Sequence, residues 1–234
     1  MPTAKTLFIA QVVLGVMPVL LLILFVWKKM YQTPIVGTVF IILIFLCNLA
    51  YAFLARWYAV LHSGVKGERR LFRTVKKLHG TNIVFHNLPV RYKRGRSELD
   101  MLIVCHSGVL IIEVKNHSGT ISGSWRDDKW TQRKHYRDGK VTETMMDNPI
   151  KQMRRQRDIV KSILTAAGEN VWIDSVLYFS SPNAKLKISL RESDYVCCES
   201  AELLEFLKSY DSGETLSKSR MEHIAQILRE SSGV

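Results

Sequence analysis

Glu98-Leu-Asp-Met-Leu-Ile-Val-Cys-His-Ser-Gly-Val-Leu-Ile-Ile-Glu-Val-Lys-Asn116 lies within two strands, Ser97–Cys105 and Gly108–Asn116, joined at His106-Ser107-Gly108, a compact hairpin signal. Both runs are apolar on both faces over most of their length, as strands are in the middle of a covered sheet. Into that setting the chain places Asp100, Glu113 and Lys115. Burying an unpaired charge costs several kcal/mol, so such groups are normally paired, bound to metal or catalytic.

A two-residue turn at Ser107-Gly108 sets His106 opposite Val109, Asp100 opposite Lys115 and Leu102 opposite Glu113. Strand side chains alternate, so Asp100, Glu113 and Lys115 then leave one face together. Two carboxylates converging beside an ammonium suit Mg²⁺ or Mn²⁺. A loop with an odd residue count would send Asp100 to the other face. The alternative reading is a buried Asp100–Lys115 ion pair with Glu113 partly solvated.

Outward from this hairpin, residues 64–79 read as an amphipathic helix, with Val65, Leu71, Val75 and Leu78 apolar and Gly80 able to cap its end. Asn82–Asn87 reads as a short strand, and Thr120–Gly123 continues the sheet. Lys129–Thr144 alternates around Asp138-Gly139, which predicts a two-residue hairpin turn. Asn148-Pro149 opens a helix running to about Ala167, with Asn as N-cap and Pro in the first turn. Trp172–Ser180 is a buried strand, and residues 199–209 and 214–230 are terminal helices. The pattern is α/β: one domain with a mixed central sheet flanked by helices.

The N-terminal quarter answers to a different solvent. Residues 1–55 hold no Asp, Glu or Arg and three Lys, so they supply +3 of the formal +12. Two apolar runs, about 6–27 and 34–55, are each long enough to span roughly 30 Å of hydrocarbon as a helix. The linker KKMYQT makes them a tight antiparallel hairpin, with Trp27, Tyr31, Trp57 and Tyr58 at interfacial positions. The expected division is a membrane anchor at 1–58 and a soluble domain at 59–234. A cleaved signal peptide before a single anchor is the alternative, but Ala50-Tyr51-Ala52 lies too far from the N-terminus. Lys5, the amino terminus and the basic residues from Arg56 to Lys77 outnumber Lys28 and Lys29 of the linker, which favours both ends in the cytoplasm; the expected location is a bacterial inner membrane, as a multi-pass protein. Four Cys at spacings unlike a disulfide framework or zinc site agree with a reducing compartment.

Four motifs in order give a resemblance: Gly64-Val-Lys-Gly67-Glu68, Glu98-Leu-Asp100, Gly108-Val-Leu-Ile-Ile-Glu113-Val-Lys115-Asn through Gly119, and Asn148-Pro149-Ile-Lys-Gln152. Over roughly residues 64–160 the chain resembles the nuclease-related domain (NERD) family of the PD-(D/E)xK nuclease superfamily. The resemblance implies a restriction-endonuclease-like sheet and metal-dependent hydrolysis of DNA or RNA. It implies that Asp100 and Glu113 hold the metal, helped by the Val114 carbonyl, and that Lys115 orients or deprotonates the attacking water. Glu68 would be an accessory acid, on the metal directly or through water, and Gln152 would reach back to the site. Leu99 stands where the superfamily often has Pro, but the family itself often has Glu-Ile-Asp there. On residues alone, Glu68 could instead be a solvated acid near a helix start.

Arg91, Lys93, Arg94 and Arg96 precede the first acidic strand, and Arg154, Arg155, Arg157 and Lys161 follow Gln152. Trp125, Trp130 and Tyr136 are interleaved with Arg126, Lys129, Arg133, Lys134 and Arg137. Arg94, Arg96, Arg154, Arg155 and Trp130 are therefore candidates to hold a phosphate backbone and stack bases. Attraction of the basic face to lipid headgroups is the competing reading. The expected partners are nucleic acid, the lipid bilayer and a further copy of the chain through the helical hairpin. No zinc spacing, Walker A sequence or positioned serine triad is present. The competing function is a catalytically silent membrane-tethered domain that binds nucleic acid or docks a protein.

Overall fold

The computed structural model describes residues 4–27, 34–78 and 81–232. Two compact units result, Met1–Val65 and Lys66–Val234.

In the first unit, α1 (Ala4–Trp27) contains Pro18, and α2 begins at Pro34 and continues to Val75. The pairs Phe8–Tyr58 and Phe25–Phe40, with Gly15 against Tyr51, show α1 and α2 packed antiparallel, as a hairpin requires. Phe8–Trp27 and Pro34–Tyr58, with mean hydropathies of 2.8 and 2.4, are long and apolar enough to cross a membrane. Their apolar side chains face outward, Phe45 and Phe53 among them. The linker with Lys28, Lys29 and Tyr31, and the expected cap Gly80, lie outside the described residues. As bounded, α2 also takes in residues 64–75 of the expected amphipathic helix.

The second unit holds two sheets. The first has the order β1 (Ile83–Tyr92), β2 (Gly95–Cys105), β3 (Gly108–Lys115), β7 (Ile173–Phe179), β9 (Tyr195–Cys197). β1–β2–β3 are antiparallel, and β3, β7 and β9 are parallel. The second has the order β6 (Val141–Asp147), β5 (Lys129–His135), β4 (Gly119–Ser124), β8 (Ala184–Ser189). Residues 120–123 thus open a second sheet instead of continuing the first. The turn at Gly119 accounts for the change: its φ is +85°, and a Cβ there would meet the Arg133 carbonyl at 2.4 Å.

One face of the first sheet is covered by α3 (Pro149–Ala166) and α5 (Lys218–Ser232). They meet Leu102, Val104, Val109 and Ile111 through Val160, Leu164, Ile224 and Leu228. The other face carries Leu71 and Val75 of α2 and Leu203 of α4 (Ser200–Ser209), packed on Met101, Ile103, Leu110 and Ile112. A third cluster, Ile121, Trp130, Ile150, Met153, Leu177 and Phe179, joins the second sheet to the first.

Two turns differ from expectation. The β2–β3 turn is His106-Ser107, with Cys105 opposite Gly108. Gly108, at φ +122°, begins β3 at once, and its backbone approaches Trp172 too closely for a Cβ. The β5–β6 loop pairs His135 with Val141, one residue out of register for a two-residue turn at Asp138-Gly139. Gly139 takes φ +80° after a turn closed by its N–H to the Tyr136 carbonyl, the geometry of a three-residue loop with a bulge.

Candidate active site

The β1–β2 and β2–β3 ladders both break at the first acid. β1 pairs with β2 up to His86↔Met101 and resumes at Leu88↔Leu99, and Asn87 between them has φ +48°. Asn tolerates the left-handed region better than most residues. Phe85 and Leu88, three apart, pack into one cluster, as do Leu99 and Leu102. Strict alternation forbids this, so both strands kink here. β2–β3 pairing ends at Met101↔Ile112.

Past that point the Asp100 carboxylate replaces the ladder, accepting the Val114 N–H at 2.7 Å. Continuing the register sets Asp100 across from Glu113, not Lys115. The turn is shifted by two residues from expectation, which keeps parity along the unbroken ladder and changes the partner of Asp100; the kink between Leu99 and Leu102 then turns the Asp100 carboxylate towards the Val114 N–H. Lys115 donates to Glu113 Oε1 at 2.6 Å. The alternative Asp100–Lys115 pair is therefore not formed, and Glu113 is 2 % exposed instead of solvated.

Glu113 is held from α3. Gln152 donates to its Oε1 at 2.7 Å and accepts from Lys115 at 2.9 Å, while Gln156 donates to its Oε2 at 2.8 Å. Asn148 explains why α3 points there. Its Oδ1 caps the Ile150 N–H, and its Nδ2 donates to the carbonyls of Ser124 and Asp127. This buried side chain fastens the helix start to the β4–β5 turn, so Gln152, one turn in, meets the acids. Gln156 went unnoticed in the sequence, although its i+4 spacing from Gln152 puts it on the same helix face.

Glu68 approaches from α2. At Gly67 an added Cβ would lie 2.8 Å from Ser180 Oγ and 3.1 Å from Val114, so only glycine lets the helix come this close to the strand ends. Glu68 accepts from Asn87 Nδ2 at 3.3 Å. Burial, then the charge of Glu113, raises the Asp100 pKa to about 7; the Val114 N–H and Lys115 oppose this, and Glu68 adds slightly to it. Among the described residues no three His, Cys, Asp or Glu side chains gather closely enough to hold one ion. Two neighbouring carboxylates, Asp100 partly buried and Glu113 fully so, nevertheless offer the hard oxygen donors that Mg²⁺ and Mn²⁺ take.

The nuclease-related domain (NERD) family model matches residues 63–180. The chain belongs to this family. An uncharacterized protein of Bacillus anthracis is 34% identical over 71 residues, 30% of this chain and 34% of that protein. The chain thus spans about a third of that relative's length. No solved structure matches significantly. The NERD match takes in both acids, Lys115, Gln152 and Gln156, whereas α4 and α5 lie beyond it and close the two faces of the NERD sheet.

The basic residues divide. Arg94 and Arg155 are exposed and, with Lys93, Lys151 and Arg154, line a groove of about 610 Å³ between the β1–β2 turn and α3. Arg96 is exposed opposite Arg91. Arg154 is already engaged, donating to both Asp194 oxygens at 2.8 and 2.7 Å. Trp130 is no stacking platform. It is fully buried, its Nε1–H donates to the Ser124 carbonyl, and Gly123 leaves room for its ring. Trp125 is ringed by Arg191, Arg126 and Arg154 at 3.7, 4.9 and 5.4 Å.

Proposed function

We propose that the NERD unit is a divalent-metal-dependent nuclease that hydrolyses phosphodiester bonds in DNA or RNA. In this reading α1 and α2 hold it as a multi-pass protein on the cytoplasmic side of a bacterial inner membrane. The supporting observation is the break in the β2–β3 ladder, which sets Asp100 beside Glu113 with Lys115 and Gln152 attached. Asp100 and Glu113 would hold Mg²⁺ or Mn²⁺, with Glu68 assisting through water. A bound divalent ion lowers the pKa of its water and offsets charge developing on a phosphate.

The protein's own part is positioning. An ammonium has three N–H donors. Two of those on Lys115 meet Glu113 and Gln152, and the third can meet a phosphate oxygen or the attacking water. Gln152 keeps the amine on the acidic side of the site. The groove beside α3, with Arg94 and Arg155 on its walls, offers charge to the substrate backbone.

The decisive experiment uses the full-length protein in detergent, incubated with single- and double-stranded DNA and RNA and Mg²⁺ or Mn²⁺. Metal-dependent cleavage that falls at least hundredfold in Asp100→Ala and Lys115→Ala supports the proposal. Equal cleavage by all three proteins, or none by any, overturns it. The occupied oxygens of Glu113 favour one second reading, a silent tethered nucleic-acid binder. It requires salt-dependent binding, without cleavage, that survives Asp100→Ala.

A further inference from the structure

We infer that Gln156 is a positioning residue of this site, spanning the gap where β2 and β3 part and fixing the second oxygen of Glu113. Its side chain is fully buried. The one amide nitrogen donates to the Glu98 carbonyl on β2 at 3.1 Å and to Glu113 Oε2 on β3 at 2.8 Å. These contacts fall just beyond Met101↔Ile112, the last β2–β3 pair, so the amide replaces backbone pairing that the kink at Asp100 removed.

The carbonyl end of the same amide carries the rest. Gln156 Oε1 is buried and has no hydrogen-bond partner among the described residues. Turning the amide over would aim an oxygen at the Glu113 carboxylate, so the orientation is fixed by charge. A buried acceptor left in this way is normally satisfied by water. Gln156 thus holds Glu113 through Oε2, so that one carboxylate edge keeps its direction. Among the described residues, the other side-chain donors to Glu113 are Lys115 and Gln152, both at Oε1. The part of this inference that concerns metal rests on the nuclease reading; the bridge does not.

The test compares the full-length protein with Gln156→Met, which keeps length but removes donor and acceptor, and with Ile163→Val, a core change on the same helix. Amide hydrogen exchange is measured without metal, and Mn²⁺ affinity by electron paramagnetic resonance. In Gln156→Met, exchange at residues 98–101 and 113–116 rises about tenfold, while residues 103–110 hold their protection. Mn²⁺ affinity falls ten- to hundredfold, as when partners that orient metal ligands are removed, and Ile163→Val leaves it unchanged. Unaltered local exchange, or a rise spread over the whole domain, overturns the inference. A local rise with wild-type Mn²⁺ affinity overturns the positioning role. If the wild type binds no Mn²⁺, the metal reading fails and the exchange pattern alone decides whether Gln156 is the bridge.

Discussion

From Cys105↔Gly108 to Met101↔Ile112 the β2–β3 ladder is apolar and covered on both faces, by α3 and α5 on one side and by α2 and α4 on the other. One step beyond, Asp100 caps a backbone N–H with its side chain, and Glu113 is held by three side-chain donors. The same two strands hold the domain together at one end and are opened for chemistry at the other. The closed end minimises free energy by packing. The open end keeps two like charges near each other at a cost in stability.

The largest expected effect belongs to the closed end. Ile111→Ala, at a fully buried position, leaves a cavity and should cost about 2–5 kcal/mol in unfolding experiments, with Mn²⁺ affinity unchanged. A loss below about 1 kcal/mol would break the contrast, because that end would then not be tightly packed.

Asp100→Asn should do the reverse. With its pKa raised to about 7, Asp100 binds a proton in the folded state over a range where the unfolded chain has released it. Its contribution is favourable below about pH 4 and is lost as the pH rises towards 7, leaving the charged form unfavourable above that. In metal-free protein at pH 8 the substitution should therefore stabilise by about 2 kcal/mol, roughly half the full linkage figure for such a shift, since solvent reaches the group. The gain should vanish near pH 4, and Mn²⁺ should stabilise the wild type only. A pH-independent difference would show that charge is not what strains this end.

Gly67→Ala comes next. The added methyl meets Ser180, Val114 and Asn116 and pushes α2 from the open strand ends, costing about 1 kcal/mol or slightly more. Thermal unfolding reads the loss, and weaker coupling of Glu68 to the site should accompany it.

The closed end was legible in the sequence because its signal is redundant: every residue from Met101 to Val104 and from Val109 to Ile112 is apolar. The nearness of the two acids was legible as well, since the hairpin brings residues 100 and 113 together, although the alternation expected to place them fails at the kink between Leu99 and Leu102. Which group pairs with which was not, because one glycine conformation at Gly108 and one kink at Asn87 decide it, and neither leaves a periodic trace. Sheet membership of residues 119–124 was equally hidden, resting on Gly119 and on pairing with β8, residues distant in sequence. Trp130 read as a surface aromatic because basic residues surround it in sequence, yet alternation along β5 turns Lys129 and Arg133 outward and Trp130 inward. Gln156 was visible only as a helix position until Glu113 supplied its partner.

The smallest effects separate two adjacent arginines on α3. Arg155 is exposed on the groove wall, whereas Arg154 is pinned to Asp194, whose side chain is 7% exposed. Arg155→Ala should leave unfolding within about 0.5 kcal/mol of wild type, as surface changes do. It should flatten the dependence of log K on log salt by about one unit for nucleic-acid binding, the signature of one lost phosphate contact. Arg154→Ala should do the opposite, leaving Asp194 without its cation and lowering stability by more than its neighbour does, with a smaller change in salt slope. Titrations of the full-length protein with labelled DNA and RNA at several salt concentrations, beside thermal unfolding, read both quantities. Equal slopes for the two variants would move the substrate backbone off this groove while leaving the acids at the open strand ends untouched.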